Sequence, residues 1–378
     1  MAETMSILRK DVLEQAKVIG RADIVIGIPS FQNAKTVAGV VKAAGEGATA
    51  HFPSLKVVLV DSDGRSTDGT RDIIRRAILP EGVEKIVTLY RGLSGKGSAL
   101  RTIFEIADIL DARACILLDA DSYSITPDWV HLLGEPILSG AYGFVAPHYL
   151  RDKHDATITN NLVYPLNRAL YGAGVRQPIG GDFGLSGGLV KTLVHRRVWE
   201  SETDVNRFGV DIWMTTIAIN EGFRVCQASL GAKVHDAKDP AIHLGPMFKQ
   251  VVGTMLSLMR QYEGRWKAAW GSGAVEILGG FHYVEVERTK ISLPELAKRF
   301  RNGLKEYKEF WQLTIPENNY SRVMKLAHVD MERFHFPIDL WAKLVYDFAV
   351  AYNFGEADRE KVLDALLPLF FGRALSFA

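Results

Sequence analysis

The sequence predicts an α/β protein in which a doubly wound, mostly parallel sheet is followed by a helical C-terminal extension. Three observations carry this. From Ala22 onward, short apolar runs alternate with amphipathic segments of helical spacing. Each run ends in Gly, Ser, Asp or Pro, so the polar residues collect at the ends of the runs. After about Pro240 the alternation stops and only helical periodicity remains.

The first segment, "MAETMSILRKDVLEQAKVIG", has apolar residues at helical spacing interrupted by charge, and residues 1–21 are expected to form an N-terminal helix. The uninterrupted apolar core of a signal peptide is not present in it. The strand-length runs follow: "ADIVIGIPS", "KVVLVDS", "EKIVTLYRG" and "ACILLDAD". Helices are predicted between them over residues 36–50, 67–77 and 98–110, the second capped by Ser66 or Thr67 with Asp68 at the positive end of the helix dipole. A strand-like run precedes His235. Residues 22–240 are read as one domain of this alternating type. Residues 241–378 are read as a helical domain, with helices over 246–262, 293–310, 337–352 and 356–375, the second opened by a capping box from Ser292 to Glu295. No internal repeat or low-complexity tract interrupts the chain.

Composition narrows the class of partner. Across 378 residues, 45 basic and 44 acidic side chains nearly cancel, so no global field favours nucleic acid or an anionic membrane. No stretch approaches the ~20 apolar residues needed to span a bilayer. The two cysteines, Cys115 and Cys226, sit in apolar stretches and read as buried reduced thiols, which favours the cytoplasm. The apolar tail "LLPLFFGRALSFA" is expected to pack on the protein or on a second subunit, giving a homodimer or homotetramer.

Chemistry concentrates in "ILLDADSYS". Asp119 and Asp121 follow a run that should be buried on both faces, and two residues apart in extended chain they point the same way. Two such carboxylates repel unless a cation lies between them. Oxygen ligands suit Mg²⁺ or Mn²⁺, which commonly takes one or two carboxylates and fills its remaining sites with phosphate oxygens. A solvated turn with two capping aspartates is the competing reading. Elsewhere, "VVLVDSDGRSTDGT" sets Asp61 and Asp63 at another strand end. "LSGKGSAL" sets Lys96 between glycines before a helix, where backbone can approach a ligand closely and the ammonium can meet phosphate. His235, in "GAKVHDAKDP", is a candidate third ligand that would suit Mn²⁺.

Together, "IVIGIPSFQNAKTV", "VDSDGRSTDGT", "SGKGSALR", "LLDADS" and the late "VHD" resemble the nucleotide-sugar-dependent glycosyltransferases of the GT-A fold. The central block, "DATITNNLVYPLNRALYGAGVRQPIGGDFGLSGG" followed by "FGVDIWMTTIAINEGF", resembles the mannosylglycerate synthases and glucosyl-3-phosphoglycerate synthases, retaining enzymes that glycosylate glycerate or its phosphate. The resemblance runs from about Ala22 to His235, and the helical tail is similar to that of the mannosylglycerate synthases.

Carried over residue by residue, the resemblance implies a metal held by Asp119, Asp121 and His235. It implies a nucleotide-sugar pocket lined by Pro29, Ser30, Gln32, Asp61, Lys96 and Ala120. Gln32 and Asn33 stand where the family has an acidic residue for the ribose. Asp182, in "QPIGGDF", stands where the family has Glu and is implied to hold donor-sugar hydroxyls. Asp211, in "FGVD", is implied near sugar and acceptor hydroxyls, and these two are the candidate catalytic carboxylates. Thr157 and Thr159 are implied at the acceptor. Thr157 replaces an arginine suited to an acceptor phosphate, and losing a bidentate guanidinium favours free glycerate or another small hydroxy acid over 3-phosphoglycerate, with Arg176 or Lys233 as compensating cations. The donor would be a GDP- or UDP-linked glucose or mannose. The competing functions are an inverting transferase acting on a lipid carrier or polysaccharide, a sugar-phosphate nucleotidyltransferase, and a non-catalytic nucleotide-sugar-binding protein.

Overall fold

The fold is that of a computed structural model, which describes residues 6–378 apart from 202, 236–243, 281–285, 287 and 328. Chain packing divides it into two compact units. The first holds residues 1–151, 167–236 and 268–286, and the second holds residues 152–166, 237–267 and 287–378.

The first unit opens with α1 (Lys10–Ile19) and then alternates as the apolar runs require: β1 (Ile24–Ser30), α2 (Val37–His51), β2 (Val57–Asp63), α3 (Thr70–Arg76), β3 (Val83–Leu89), α4 (Lys96–Ile109), β4 (Ala114–Leu117), α5 (Pro127–Leu138) and β5 (Phe144–Leu150). After α6 (Tyr164–Tyr171) come β6 (Phe183–Ser186), α7 (Gly187–Val194), α8 (Val210–Asn220), β7 (Val225–Ala232) and β8 (Ile277–Leu278). The eight strands form one sheet in the order β3-β2-β1-β4-β6-β5-β7-β8. All neighbours are parallel except β6, which runs antiparallel to both β4 and β5.

β1 is buried on both faces, which is why its sequence is a nearly continuous β-branched run. Ile24, Ile26 and Ile28 join the core formed with α2 and α5 through Val40, Val41, Val130 and Leu133. The opposite face meets α4, where Gly27 leaves room for Ile103: a Cβ on Gly27 would lie 2.4 Å from Ile103 Cγ2. Helices on both faces are the reason the sheet can be mostly parallel. Because β2 lies on one side of β1 and β4 on the other, the chain reverses its direction of winding at β1. The carboxyl ends of β1 and β4 therefore mark the position where such sheets bind ligands.

The local readings of the sequence are refined in two places. Helix α3 begins at Thr70 rather than 67, with Gly69 at its N-cap in the left-handed region. Ser66 and Thr67 do not cap it. Ser66 Oγ accepts from Gln32 N and Thr67 Oγ1 from Gln32 Nε2, so the two hydroxyls tie the β2–α3 turn to the loop after β1. Asp119 and Asp121 are not both in one extended run either, since β4 ends at Leu117 and Asp121 lies in the turn beyond it.

The second unit is helical: α9 (Gly245–Gln261), α10 (Glu263–Lys267), α11 (Leu293–Glu306), α12 (Lys308–Thr314), α13 (Glu317–Leu326), α14 (Ile338–Phe354) and α15 (Arg359–Phe377). The predicted helix over 293–310 is two, parted where Tyr307 leaves helical geometry at φ −107° and ψ 10°. Ser292 Oγ caps α11 by accepting from Glu295 N, as its capping box predicts. α11 and α15 approach closely because Gly303 faces Pro368, where an added Cβ would lie 2.1 Å from the proline Cβ. The segment at 152–166 belongs to this unit and holds a π-helical turn, Thr159–Val163, followed by the first three residues of α6. Trp341 Nε1 on α14 donates to Asn161 O at 2.7 Å, and Phe248 stacks near Phe370 with ring centroids 4.6 Å apart.

Candidate active site

Two glycines set the position of Lys96. Gly95 and Gly97 flank it at the start of α4, and a Cβ on Gly97 would lie 1.8 Å from Val205 O. The close approach that these glycines permit is thus to the protein's own backbone at 205–207, and Gly97 N donates to Arg207 O at 3.1 Å. Residues 205–207 lead directly into α8, so the first turns of α4 and α8 converge. Lys96 Nζ consequently reaches Asp211 Oδ2, in the first turn of α8, at 3.1 Å.

The same ammonium donates to Asp119 Oδ1 at 2.9 Å. On the other side, Lys233 Nζ donates to Asp119 Oδ2 at 2.7 Å, to Asp182 Oδ2 at 2.6 Å and to Gly180 O at 3.1 Å. Asp182 Oδ1 accepts from Asp119 N at 2.8 Å, and Tyr149 OH donates to Asp182 Oδ2. Gly181, at φ +95°, lies so near that a Cβ would sit 1.8 Å from Asp119 Oδ2, which explains the glycine pair before Asp182. Three carboxylates and two ammonium groups thus form one network, in which Asp182, Asp211 and Lys233 are buried and Asp119 and Lys96 half-buried.

Burial works against every charge in this network, and the partners decide the outcome. Asp119 would be raised by burial, but Lys233 and Lys96 hold it well below the usual carboxylate range. Both lysines resist the lowering effect of burial because carboxylates surround them, and both are held above the ordinary lysine value. Asp121 is among the groups that raise Lys233. Asp182 and Asp211 are raised, by burial first and by the neighbouring Asp119 charge, against the lowering effect of their lysine partners. Asp182 is 0% exposed, and both its oxygens face protein groups, Asp119 N on one side and Lys233 and Tyr149 on the other. Asp211 differs: its Oδ1 is buried with no hydrogen-bond partner among the described residues.

A second cluster lies along the same edge of the sheet, at the ends of β1 and β2. Ser30 Oγ is 2.6 Å from Asp61 Oδ1 and 3.3 Å from Asp63 Oδ2, and Asp61 Oδ2 is buried without a partner. Burial pushes the Asp61 carboxyl up to about 8, against the hydrogen bond from Ser30, with Asp63 adding to the rise. Pro29 is half-buried beside them. Gln32, exposed at φ 56°, is tied to the turn at 66–67. Ala120 is buried and its carbonyl accepts from Thr36 Oγ1 at 2.7 Å.

The remaining sequence candidates have partners of their own, and Arg151, which His235 meets, lies over the Tyr149 ring at 6.0 Å. Arg176 N donates to Gln227 Oε1 at 2.6 Å. His235 Nε2 lies 2.9 Å from Arg151 Nη2. Thr157 and Thr159 belong to the second unit, where both are buried and Thr157 Oγ1 donates to His154 O at 2.6 Å. Asp236, of the "VHD" motif, lies outside the described residues.

Tyr149 is the site residue that sequence reasoning missed. Its ring lies 5.1 Å below Lys233 Nζ and 5.6 Å from the Trp129 ring, and its hydroxyl closes the network on Asp182. The available signal was its place near the end of an apolar run, "FVAPHYL", the same position that marks Ser30 and Asp61.

Asp119 and Asp121 fit a hard divalent cation of the kind that keeps two carboxylates and takes its other ligands from phosphate oxygens. Among the described residues no three His, Cys, Asp or Glu side chains form a complete cage, so donor oxygens would have to complete it.

Residues 25–186, from β1 through β6, match the family model described as glycosyl transferase family 2. This match covers less than half of the chain, and the mostly parallel sheet with its helices is of the GT-A type. Among solved structures the chain is similar to glucosyl-3-phosphoglycerate synthase from Mycobacterium tuberculosis. In complex with Mg²⁺ and UDP, that enzyme is 23% identical with a TM-score of 0.48, over 67% of this chain and 83% of that one. In complex with Mn²⁺, UDP-glucose and phosphoglyceric acid, the values are 21% and 0.48, over 68% and 85%. In complex with Mn²⁺, UDP and glucosyl-3-phosphoglycerate, they are 24% and 0.48, over 67% and 85%. No curated protein matches the sequence. No helix among the described residues is long and apolar enough to cross a membrane.

Proposed function

We propose that this chain is a metal-dependent, retaining glycosyltransferase that moves glucose or mannose from a UDP- or GDP-linked donor to glycerate or a related small hydroxy acid. The observation that carries the proposal is the convergence of Lys96, Asp119 and Asp211 beyond the end of β4, beside the point where the sheet reverses its winding. There a diphosphate meets an ammonium group and a carboxylate pair suited to Mg²⁺ or Mn²⁺, while Ser30 and Asp61 stand at the adjacent strand ends for the nucleoside. The glycerate-type central block, with Thr157 in place of the arginine, supports a free hydroxy acid as acceptor.

A divalent ion at Asp119 and Asp121 supplies Lewis-acid stabilisation of the leaving diphosphate. Lys96 adds a second positive charge, and Asp211 Oδ1 offers an acceptor for a hydroxyl of the sugar or of the incoming acid. Asp182, Lys233 and Tyr149 hold Asp119 in place, so the reacting groups are oriented before they react. Asp182 has both oxygens engaged by protein groups, whereas Asp211 keeps one oxygen without a partner among the described residues, so Asp211 is the better placed carboxylate for a double displacement. Front-face return, in which the departing phosphate oxygen takes the acceptor proton, needs no such nucleophile, and it predicts that no glycosyl-enzyme is trapped by mass spectrometry when acceptor is withheld.

The reading includes a cytoplasmic protein that self-associates as a dimer or tetramer. The test crosses UDP- and GDP-linked glucose and mannose with glycerate, 3-phosphoglycerate and lactate, each with and without Mn²⁺. A metal-dependent hexosyl-glycerate of retained anomeric configuration supports the proposal. Inverted product, or transfer to none of the three acids, contradicts it.

A further inference from the structure

Asp119 faces two ammonium groups at once, Lys96 Nζ at 2.9 Å from Oδ1 and Lys233 Nζ at 2.7 Å from Oδ2. A divalent ion bound to either oxygen stands beside one of these like charges, in a buried setting where repulsion is weakly screened. The carboxylate cannot keep all three cations, so one of them must give way.

The two lysines differ in their freedom to do so. Lys233 is fixed: its side chain is 3% exposed and its three donors are filled by Asp119, Asp182 and Gly180 O. Lys96 is 14% exposed at its side chain and has two acceptors among the described residues, Asp119 and Asp211, which leaves one N–H for a further acceptor. It is also the first residue of α4, at the end of its element rather than within it.

Resting on the metal-dependent reading above, we infer that Lys96 competes with the divalent cation for Asp119, and that it yields this carboxylate to the metal by moving its ammonium to a phosphate oxygen of the donor while remaining close to Asp211. Lys96 thereby couples the two ligands. Free metal binds weakly because it must displace a positive charge that has nowhere better to go. Metal together with a diphosphate binds well because the displaced ammonium acquires a new anion.

The test is Mn²⁺ binding by electron paramagnetic resonance, with and without UDP or GDP, on the full chain and on Lys96→Gln, Lys96→Met and Lys96→Arg. The two uncharged variants are expected to bind nucleotide-free Mn²⁺ at least tenfold more tightly than the unmodified chain and to lose most of the enhancement that the nucleotide provides. Lys96→Arg, which keeps the charge, should stay within about threefold of the unmodified chain. Uncharged variants that bind nucleotide-free Mn²⁺ no more tightly overturn the inference while leaving metal dependence intact. An unmodified chain that binds no Mn²⁺ even with nucleotide overturns the metal reading and this inference together.

Discussion

Asp61 holds its proton in the folded chain up to about pH 8, because burial with Asp63 nearby outweighs the hydrogen bond from Ser30. In the unfolded chain the same carboxyl ionises near its ordinary value of 3.8. Between those values the folded state binds more protons, so this group's contribution to stability is complete below pH 3.8 and falls as pH rises toward 8. Asp61→Asn removes that dependence. The melting temperature of the unmodified chain should therefore fall relative to the variant between pH 5 and pH 8, as scanning calorimetry can read; a constant difference would contradict the assignment. Asp211→Asn keeps the shape of the side chain but removes the charge that faces Lys96, and kcat/KM for hexosyl transfer is expected to drop by about 100-fold or more. Asp61, Lys96 and Asp119 could each be named from the sequence because each lies at the end of an apolar run or at a helix start, whereas Asp211 is named only through the resemblance of "FGVD". Their partners could not be named. That Asp182 turns inward to Lys233 and Tyr149 depends on contacts between residues far apart in the chain, which leave no local pattern.

At the scale of elements, the glycines around Lys96 act by letting α4 lean on residues 205–207. Gly97→Ala would push the two segments apart, parting Lys96 from Asp211. The expected result is a loss of about 1–3 kcal/mol in stability by urea titration, the typical range for overpacking, with activity falling further than stability alone explains. Equal activity at full stability would contradict the role given to this contact. β1, β2 and β4 were legible as apolar runs buried on both faces, and β3, at the sheet edge with only Ile86 and Thr88 buried, as a short β-rich run. β5 and β6 were not: Pro147 and His148 interrupt one, and the other is only "FGLS", with a glycine and no alternation. The helices of the second unit were legible from their spacing, except at Tyr307, where a single non-helical residue divides α11 from α12 without a proline or glycine to announce it.

In the whole molecule the two units are interleaved along the chain. The end of the βα alternation near Pro240 is visible in the sequence. The packing of residues 152–166 with the later helices, and of 268–286 with the sheet, is not, because association over such separations imposes no periodicity. A chain ended at residue 243 would lack the Trp341 that bonds Asn161, and amide exchange over 159–163 should become fast while β1 and β2 stay protected. Slow exchange at 159–163 in that truncation would contradict the assignment of this segment to the second unit. The most direct test of the account as a whole is a calorimetric titration of UDP- and GDP-linked glucose and mannose into chelator-treated protein, with and without added Mn²⁺, on the unmodified chain and on Asp119→Asn. The account predicts that Mn²⁺ tightens binding of at least one donor by tenfold or more, and that Asp119→Asn abolishes the gain. Equal donor binding in every arm would contradict it.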